Sequence, residues 1–373
     1  MHQVIVVGAG PAGISTALSL HDRGISALLV DRGDRVGWSW RNRYDRLRLN
    51  TGRQFSHLPG RPFPKGTPIY PTRDQVVAHL ERHVRDGGIA LRLGTAVERI
   101  DRHGGTWRLT TSTGDIDGVQ VVVATGYEHT PNMPNWIGIE GFTGEVLHSS
   151  SYRNPAPFAG KRVVVVGAGS SGMEIAHDLA TGGAAKVWMS IRTPPNLMPR
   201  KGPAGLPVDV IASPLYHAPV RFADAITRRA RLASFGDLTA FGLPIPAEGI
   251  FAQARHGRAP TIVDFEVIDA VRDGSIEVVP TIASFDGATA ALRDGTRVES
   301  DAVICATGFL HGLEPLVGHL GVLDANGVPR AADEVPAAAG LRFIGFLSRP
   351  SLIGYVARKS RGVAKQIAEE LSA

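Results

Sequence analysis

An apolar, β-branched run that ends in Gly-x-Gly-x-x-Gly occurs twice in this chain, and no other feature limits its fold so severely. Val4-Ile5-Val6-Val7 leads into Gly8-Ala9-Gly10-Pro11-Ala12-Gly13, and Val163-Val164-Val165-Val166 leads into Gly167-Ala168-Gly169-Ser170-Ser171-Gly172. After each comes a segment that reads as a helix, Ile14 to Arg23 and Met173 to Ala180, then a glycine stop at Gly24 or Gly182-Gly183. A second apolar run follows, Ala27–Val30 in one copy and Lys186–Ser190 in the other. Strand, tight turn, helix and strand form the context that gives this glycine pattern a meaning. The first glycine permits the turn, the second lets backbone N–H groups approach a pyrophosphate, and the third lets the helix pack on the strand. The anion then rests on the helix N-terminus. Two copies in the right context predict two pyrophosphate-binding turns, the competing reading being two tight turns without a ligand.

A second pair repeats with the first. Val121-Val122-Val123-Ala124-Thr125-Gly126-Tyr127 is echoed by Val303-Ile304-Cys305-Ala306-Thr307-Gly308-Phe309, so the order is fingerprint, ATG, fingerprint, ATG. The period is about a whole domain, which excludes a solenoid. Before each ATG lies a turn-rich alternating stretch, Trp107–Val123 and Ile276–Ile304, that reads as antiparallel strands. Pro155 and Pro157 mark a linker. The 194–260 segment is broken by prolines and has little strand character, and within it Val220–Leu232 reads as a basic amphipathic helix. Such a helix is a solvated face or a lid, or a surface that touches a membrane or a second subunit.

The residues that end the second strands separate the two turns chemically. Asp31 stands 18 residues past Gly13, where a carboxylate accepts from both ribose hydroxyls. After Gly172 no acid appears; Ser190-Ile191-Arg192 lies there instead, with Arg192 20 residues on. A carboxylate repels a 2′-phosphate, whereas a guanidinium binds it bidentately. The first turn is therefore expected to hold an unphosphorylated adenine dinucleotide and the second NADP(H). The alternatives are a cap or turn role for Asp31 and a solvated surface role for Arg192. Two dinucleotides in one chain suggest electron transfer, and FAD beside NADPH is the common combination.

Composition removes several classes. The single cysteine, Cys305, excludes an intramolecular disulfide framework, a Cys-based metal site and a CxxC dithiol relay, and is expected to be an inert buried thiol. It suits a reducing, cytoplasmic compartment. A net charge of +5, spread over scattered arginines, does not favour nucleic acid. No run approaches 18 apolar residues, so no membrane span is expected, and a strand that begins within three residues of Met1 leaves no room for a signal peptide. No metal-ligand spacing or Ser-His-Asp set stands out.

Between the fingerprints, Phe142-Thr143-Gly144-Glu145-Val146-Leu147-His148-Ser149-Ser150-Ser151-Tyr152 fits FxGxxxHxxxY. With both glycine turns and both ATG segments, the chain resembles the class B flavin-containing monooxygenases over nearly its full length. It is most similar to the plant YUCCA-type indole-3-pyruvate monooxygenases at Tyr44-Asp45-Arg46-Leu47, Gln54-Phe55, Leu58-Pro59, Pro62-Phe63-Pro64, Tyr70-Pro71-Thr72, Ser171-Gly172-Met173-Glu174 and Phe343-Ile344-Gly345-Phe346. It departs from them where a GGxW segment is replaced by Gly37-Trp38-Ser39-Trp40, and at Asn50, which resembles the broader monooxygenases.

The resemblance implies an α/β fold of two Rossmann-like dinucleotide-binding domains. A discontinuous FAD domain, 1–155 with 282–373, is interrupted by an NADPH domain, 156–281, that carries the 194–260 insertion. It places cofactor contacts at Gly8, Gly10, Pro11, Ala12, Gly13, Asp31, Arg32, Trp40, Val97, Ala124, Thr125 and Gly126. The second set is Gly167, Gly169, Ser170, Ser171, Gly172, Ser190, Arg192, Gly308 and Phe309. NADPH reduces the flavin, O2 then forms a C4a-(hydro)peroxyflavin, and one oxygen atom passes to a small molecule, either a 2-oxo acid such as indole-3-pyruvate or an amine or sulfide. Asn50 and His148 are the candidates at the reacting centre. The Asn50 amide would bond the flavin–NADP+ edge, unless it merely closes an Asx-turn beside Gly52. The His148 motif is implied near the nicotinamide, with a structural or nucleotide-orienting role. A reductase or oxidase that releases peroxide, and a non-catalytic NADPH-sensing flavoprotein, remain as rivals, and the reading leaves room for a homodimer.

Overall fold

In the computed structural model, which describes residues 1–202, 205, 207–346 and 351–373, each glycine turn sits at the carboxyl end of a central strand that is parallel to both its neighbours. The chain divides into two compact units. The first comprises Met1–Asn42, Thr51–Thr130 and Phe309–Ala373, and the second Arg43–Asn50 and Pro131–Gly308.

The sheet of the first unit runs Ala90–Arg92, Ala27–Val30, His2–Val7, Ile116–Val123, Thr106–Thr111, Val97–His103, with Leu341–Phe343 also beside Ile116–Val123. His2–Val7 lies at its centre, parallel to both neighbours, with Val7 opposite Val30 and Val123. A strand covered on both faces cannot alternate, which explains the unbroken apolar run Val4–Val7. Thr106–Thr111 buries every second residue and pairs antiparallel with both neighbours, as its alternation predicts. The helix Pro11–His21 packs against the terminal helix Leu352–Ser372, where Ser19 Oγ and Ser360 Oγ lie 3.0 Å apart. Arg73–Asp86 is a further helix, opened by a capping box in which Thr72 Oγ1 accepts from Gln75 N and Gln75 Oε1 accepts from Thr72 N.

The second unit repeats the plan. Its sheet runs Ile276–Val279, Lys186–Ser190, Arg162–Val166, Ala302–Cys305, Glu145–His148, all parallel. Val166 stands opposite Ser190 and Cys305, as Val7 stands opposite Val30 and Val123. The two sequence repeats are thus one structural motif used twice, with the ATG strand directly beside the fingerprint strand.

Several expectations shift. The fingerprint helices begin earlier than the apolar pattern indicates, at Pro11 and Ser170, because the glycine N-cap already starts the helix. Ile276–Val279 joins the parallel sheet, and only Ile282–Asp286, Thr289–Leu292 and Arg297–Glu299 form the expected antiparallel piece. The 194–260 stretch contributes a strand, Leu197–Pro199, parallel to Thr261–Val263, and the helix Val220–Phe235; residues 203, 204 and 206 lie outside the described part. That helix is less simply basic-faced than its sequence suggests, since Arg231 turns inward and donates to Leu243 O at 2.8 Å. The expected crossings at 155 and 282 fall inside the second unit, because Glu145–His148 and Ala302–Cys305 pair with each other in its sheet. Residues 43–50 also belong to that unit.

Candidate functional site

The geometry of the glycine turns assigns each glycine a separate task. Gly8 and Gly167 adopt φ of 111° and 108°, a region costly for any side chain. A methyl there would also stand 2.6 Å from Ala124 O or 2.5 Å from Ala306 O, so the ATG segment presses on the turn. A methyl on Gly13 or Gly172 would lie 1.8 Å from Gly8 O or 2.0 Å from Gly167 O, which fixes helix against strand. At Gly10 and Gly169, by contrast, it would meet no atom of the described residues within 4 Å. Nothing among the described residues demands glycine at these two positions, and the space above each is open to a group outside the chain.

The surroundings of both turns suit an anion. Neither helix has a side-chain cap, so its first N–H groups are left for a ligand. Pro11 occupies the first turn, where a missing N–H is no loss. In the ATG segment that presses on the first glycine turn, Thr125 Oγ1 is buried without a hydrogen-bond partner among the described residues, an orphan that a bound group would satisfy. The cradle therefore fits a dinucleotide in both units.

Asp31 accepts from Ala9 N at 2.5 Å through Oδ2 and from Gly33 N at 2.7 Å through Oδ1. It braces the turn, and each carboxylate oxygen keeps a further lone pair for a ribose hydroxyl. Arg32 lies within 3.1 Å of His129 Nε2, and Gly37 N donates to Ala9 O, which sets the short helix Trp38–Arg41, with half-buried Trp40, beside the turn. Val97 is half-buried at the start of its strand. In the second unit Ser190 is buried and donates to Pro280 O at 2.9 Å, while Ser170 Oγ accepts from Ile262 N at 2.9 Å. Those two hydroxyls are engaged by protein. Arg192 is exposed and makes no hydrogen bond or ion pair among the described residues.

The FxGxxxHxxxY motif acts as a frame. Phe142 packs its ring 4.9 Å from Phe285, and a methyl on Gly144 would sit 2.6 Å from Asp301 O. His148 is buried. Its Nδ1 accepts from Ser150 N at 3.1 Å, so the proton is on Nε2, which donates to Gly308 O at 2.9 Å. Both ring nitrogens are committed, and the imidazole props the second ATG turn. Tyr152 donates to Asp178 Oδ2 at 2.8 Å, on the fingerprint helix Ser170–Thr181. Cys305 is buried, and burial pushes its thiol up to about 11.

A buried ionic network escaped sequence reasoning. Arg200, 3% exposed, donates from Nε to Asp264 at 2.9 Å, from Nη1 to Leu49 O at 2.8 Å and Asn50 Oδ1 at 2.9 Å, and from Nη2 to Glu174. Glu174, 6% exposed, also accepts from Tyr44 Oη at 2.6 Å. Burial raises the Glu174 carboxyl, opposed by the Arg200 charge; burial and the neighbouring Glu174 carboxylate raise the Tyr44 phenol. Tyr44 and Glu174 were visible only as parts of family motifs, and Arg200 and Asp264 carried no signal, since partners 64 residues apart have no spacing to read.

The model of the pyridine nucleotide-disulphide oxidoreductase family matches residues 5–201. Indole-3-pyruvate monooxygenase YUCCA1 of Oryza sativa subsp. japonica is 36% identical over 311 residues, 82% of this chain and 76% of the relative. Probable indole-3-pyruvate monooxygenase YUCCA8 of Arabidopsis thaliana is 33% identical over 94% of this chain and 85% of its own length. The chain belongs to the YUCCA-type flavin monooxygenase family. It is an oxidoreductase that uses FAD and NADPH. The fold is shared with the flavin-containing monooxygenase from Stenotrophomonas maltophilia, with a TM-score of 0.76 and 24% identity over 100% of both chains. It is shared also with cyclohexanone monooxygenase, with a TM-score of 0.77 and 19% identity over 99% of this chain and 88% of that one. Among the described residues of this YUCCA-type chain, no helix is long and apolar enough to cross a membrane.

Proposed function

We propose that this monooxygenase holds FAD on the Gly8–Gly13 turn and NADPH on the Gly167–Gly172 turn, and that its substrate is a 2-oxo acid of the indole-3-pyruvate type. The observation that carries the cofactor assignment is the asymmetry after two otherwise matching turns, a carboxylate at Asp31 and an exposed, unengaged guanidinium at Arg192. The substrate class rests on the two sequence relatives, which bear the names indole-3-pyruvate monooxygenase and probable indole-3-pyruvate monooxygenase.

When bound, the two cofactors supply hydride transfer and the activation of O2. The chain supplies placement. The helix N-terminus after Gly10 neutralises one pyrophosphate and that after Gly169 the other. Asp31 selects a ribose with free hydroxyls, and Arg192 favours a 2′-phosphate. His148 holds the backbone of Gly308, and Asn50 offers an amide donor, a preorganised dipole of the kind that protects developing negative charge. The discontinuous FAD domain, the cytoplasmic setting and a homodimer belong to the same reading.

The overall reaction balances as 2-oxo acid plus O2, NADPH and a proton giving the carboxylate one carbon shorter, CO2, NADP+ and water. The test offers purified enzyme NADPH and 18O2 with indole-3-pyruvate, a tertiary amine or a sulfide in turn. One 18O atom in the shortened acid, with one CO2 per NADPH, is expected. Label appearing only in an N-oxide or sulfoxide would overturn the substrate class, and NADPH oxidation that returns only peroxide with every substrate would favour an oxidase.

A further inference from the structure

We infer that Arg200 is a positioning residue for Asn50: it fixes the amide so that Nδ2 is the outward donor, and it ties that orientation to the NADPH fingerprint helix. The inference rests on the proposed role of Asn50 as an amide donor to the cofactors.

An asparagine amide has a donor end and an acceptor end of nearly equal shape, and either can face a given neighbour. Arginine breaks the tie, because a guanidinium has five N–H donors and no acceptor. The atom of Asn50 that lies 2.9 Å from Arg200 Nη1 must therefore be Oδ1, and Nδ2 must point the other way. Among the described residues Nδ2 has no hydrogen-bond partner, and Asn50 is half-buried, so this donor is held ready and unused. The same Nη1 grips Leu49 O at 2.8 Å, so side chain and backbone are set together.

Arg200 is itself held on several sides. Its Nε meets Asp264, its Nη2 meets Glu174, and it is 3% exposed. Burial works against its charge, but Glu174 and Asp264 outweigh that and keep it protonated. Glu174 lies two residues past Gly172 on the helix Ser170–Thr181, and Tyr44 Oη fixes its other oxygen at 2.6 Å. A continuous chain of charge-assisted bonds thus runs from the helix whose N-terminus takes the pyrophosphate to the amide of Asn50. A displaced helix would move Glu174, then Arg200, then the donor. The network binds no substrate itself; its product is the direction of one N–H pair.

The experiment is a double-mutant cycle on the FAD-loaded enzyme with Arg200→Lys, Asn50→Ala and both. Lysine keeps the charge between Glu174 and Asp264 but lacks the fork that reaches Asn50. Two quantities are read: peroxide released per NADPH consumed, and the NADP+ dissociation constant from titration of the flavin absorbance without turnover. Asn50→Ala and Arg200→Lys are each expected to raise the peroxide fraction about fivefold or more and to weaken NADP+ about threefold or more. The double variant should stay within about twofold of Asn50→Ala. Multiplying effects, or a fully coupled Arg200→Lys beside an uncoupled Asn50→Ala, would overturn the role of Arg200 alone. A fully coupled Asn50→Ala would remove the donor reading of Asn50, and this inference with it. If Arg200→Lys does not fold, Glu174→Gln, which loosens Arg200 without altering shape, is expected to raise the peroxide fraction in the same direction, and an unchanged value there is equally fatal.

Discussion

Replacing Gly10 by alanine separates ligand binding from folding at the first glycine turn. The backbone there has φ −88° and ψ −174°, extended values that alanine adopts without strain, and the new methyl would meet no atom of the described residues within 4 Å. The flavin-free protein should therefore be as stable as the parent, or firmer by up to about 1 kcal/mol as the unfolded chain loses freedom. The methyl would nonetheless occupy the line by which the pyrophosphate reaches the helix N-terminus. Loss of one charge-assisted contact there is worth about 1.5–3 kcal/mol, roughly a ten- to hundredfold weaker FAD complex. Gly13→Ala is the contrast. Its methyl would lie 1.8 Å from Gly8 O and 3.3 Å from Leu29 Cδ1, so helix and strand must part, at about 1–3 kcal/mol or more. Urea unfolding of flavin-free protein and quenching of FAD fluorescence on titration measure the two quantities separately. Unaltered FAD affinity in Gly10→Ala would refute the cradle, and so would a Gly10→Ala chain that loses stability before any ligand is added. Gly169→Ala should behave alike towards NADPH and leave FAD binding intact.

Arg192→Ala should raise the KM for NADPH about tenfold and leave that for NADH nearly unchanged, since one charge-assisted phosphate contact is removed; an unaltered NADPH/NADH preference in steady-state kinetics removes Arg192 from the site. His79 gives the protein an acid-sensitive element. It is 4% exposed, stacks on Phe63 at 4.1 Å, has His83 edge-on at 4.6 Å, and among the described residues neither ring nitrogen makes a well-formed hydrogen bond. Burial, reinforced by the charges of His83 and Arg82, lowers its pKa from 6.5 to about 3. The folded chain thus holds the neutral ring, and that stabilisation is complete above pH 6.5 and fades as the pH falls towards 3. Between pH 7.5 and 5 it should lose no more than about 2 kcal/mol. His79→Phe should flatten the urea midpoint over that interval, and an identical slope in the variant would assign the acid response elsewhere.

What could be read in advance follows from how local each feature is. Each glycine turn and the strands on either side of it, His2–Val7 with Ala27–Val30 and Arg162–Val166 with Lys186–Ser190, are written within 30 residues of chain, in the periods and turn residues that backbone geometry imposes. The asymmetry between Asp31 and Arg192 is equally local, because each stands at the end of the strand that follows its own turn. The motif around His148 was visible as a pattern, but not its work: that Nε2 props Gly308 depends on a carbonyl 160 residues away.

The sequence by itself therefore determined the repeated βαβ units and the two glycine turns that open their helices, since these rest on interactions among near neighbours in the chain. Only the tertiary structure decided that residues 43–50 belong with the second unit, that Ile276–Val279 completes its parallel sheet, and that Arg200 joins Glu174, Asp264 and Asn50. Burying a guanidinium is tolerable only where several acceptors converge on it, and such convergence is a property of packing in space. It leaves no period, spacing or composition along the chain from which to read it.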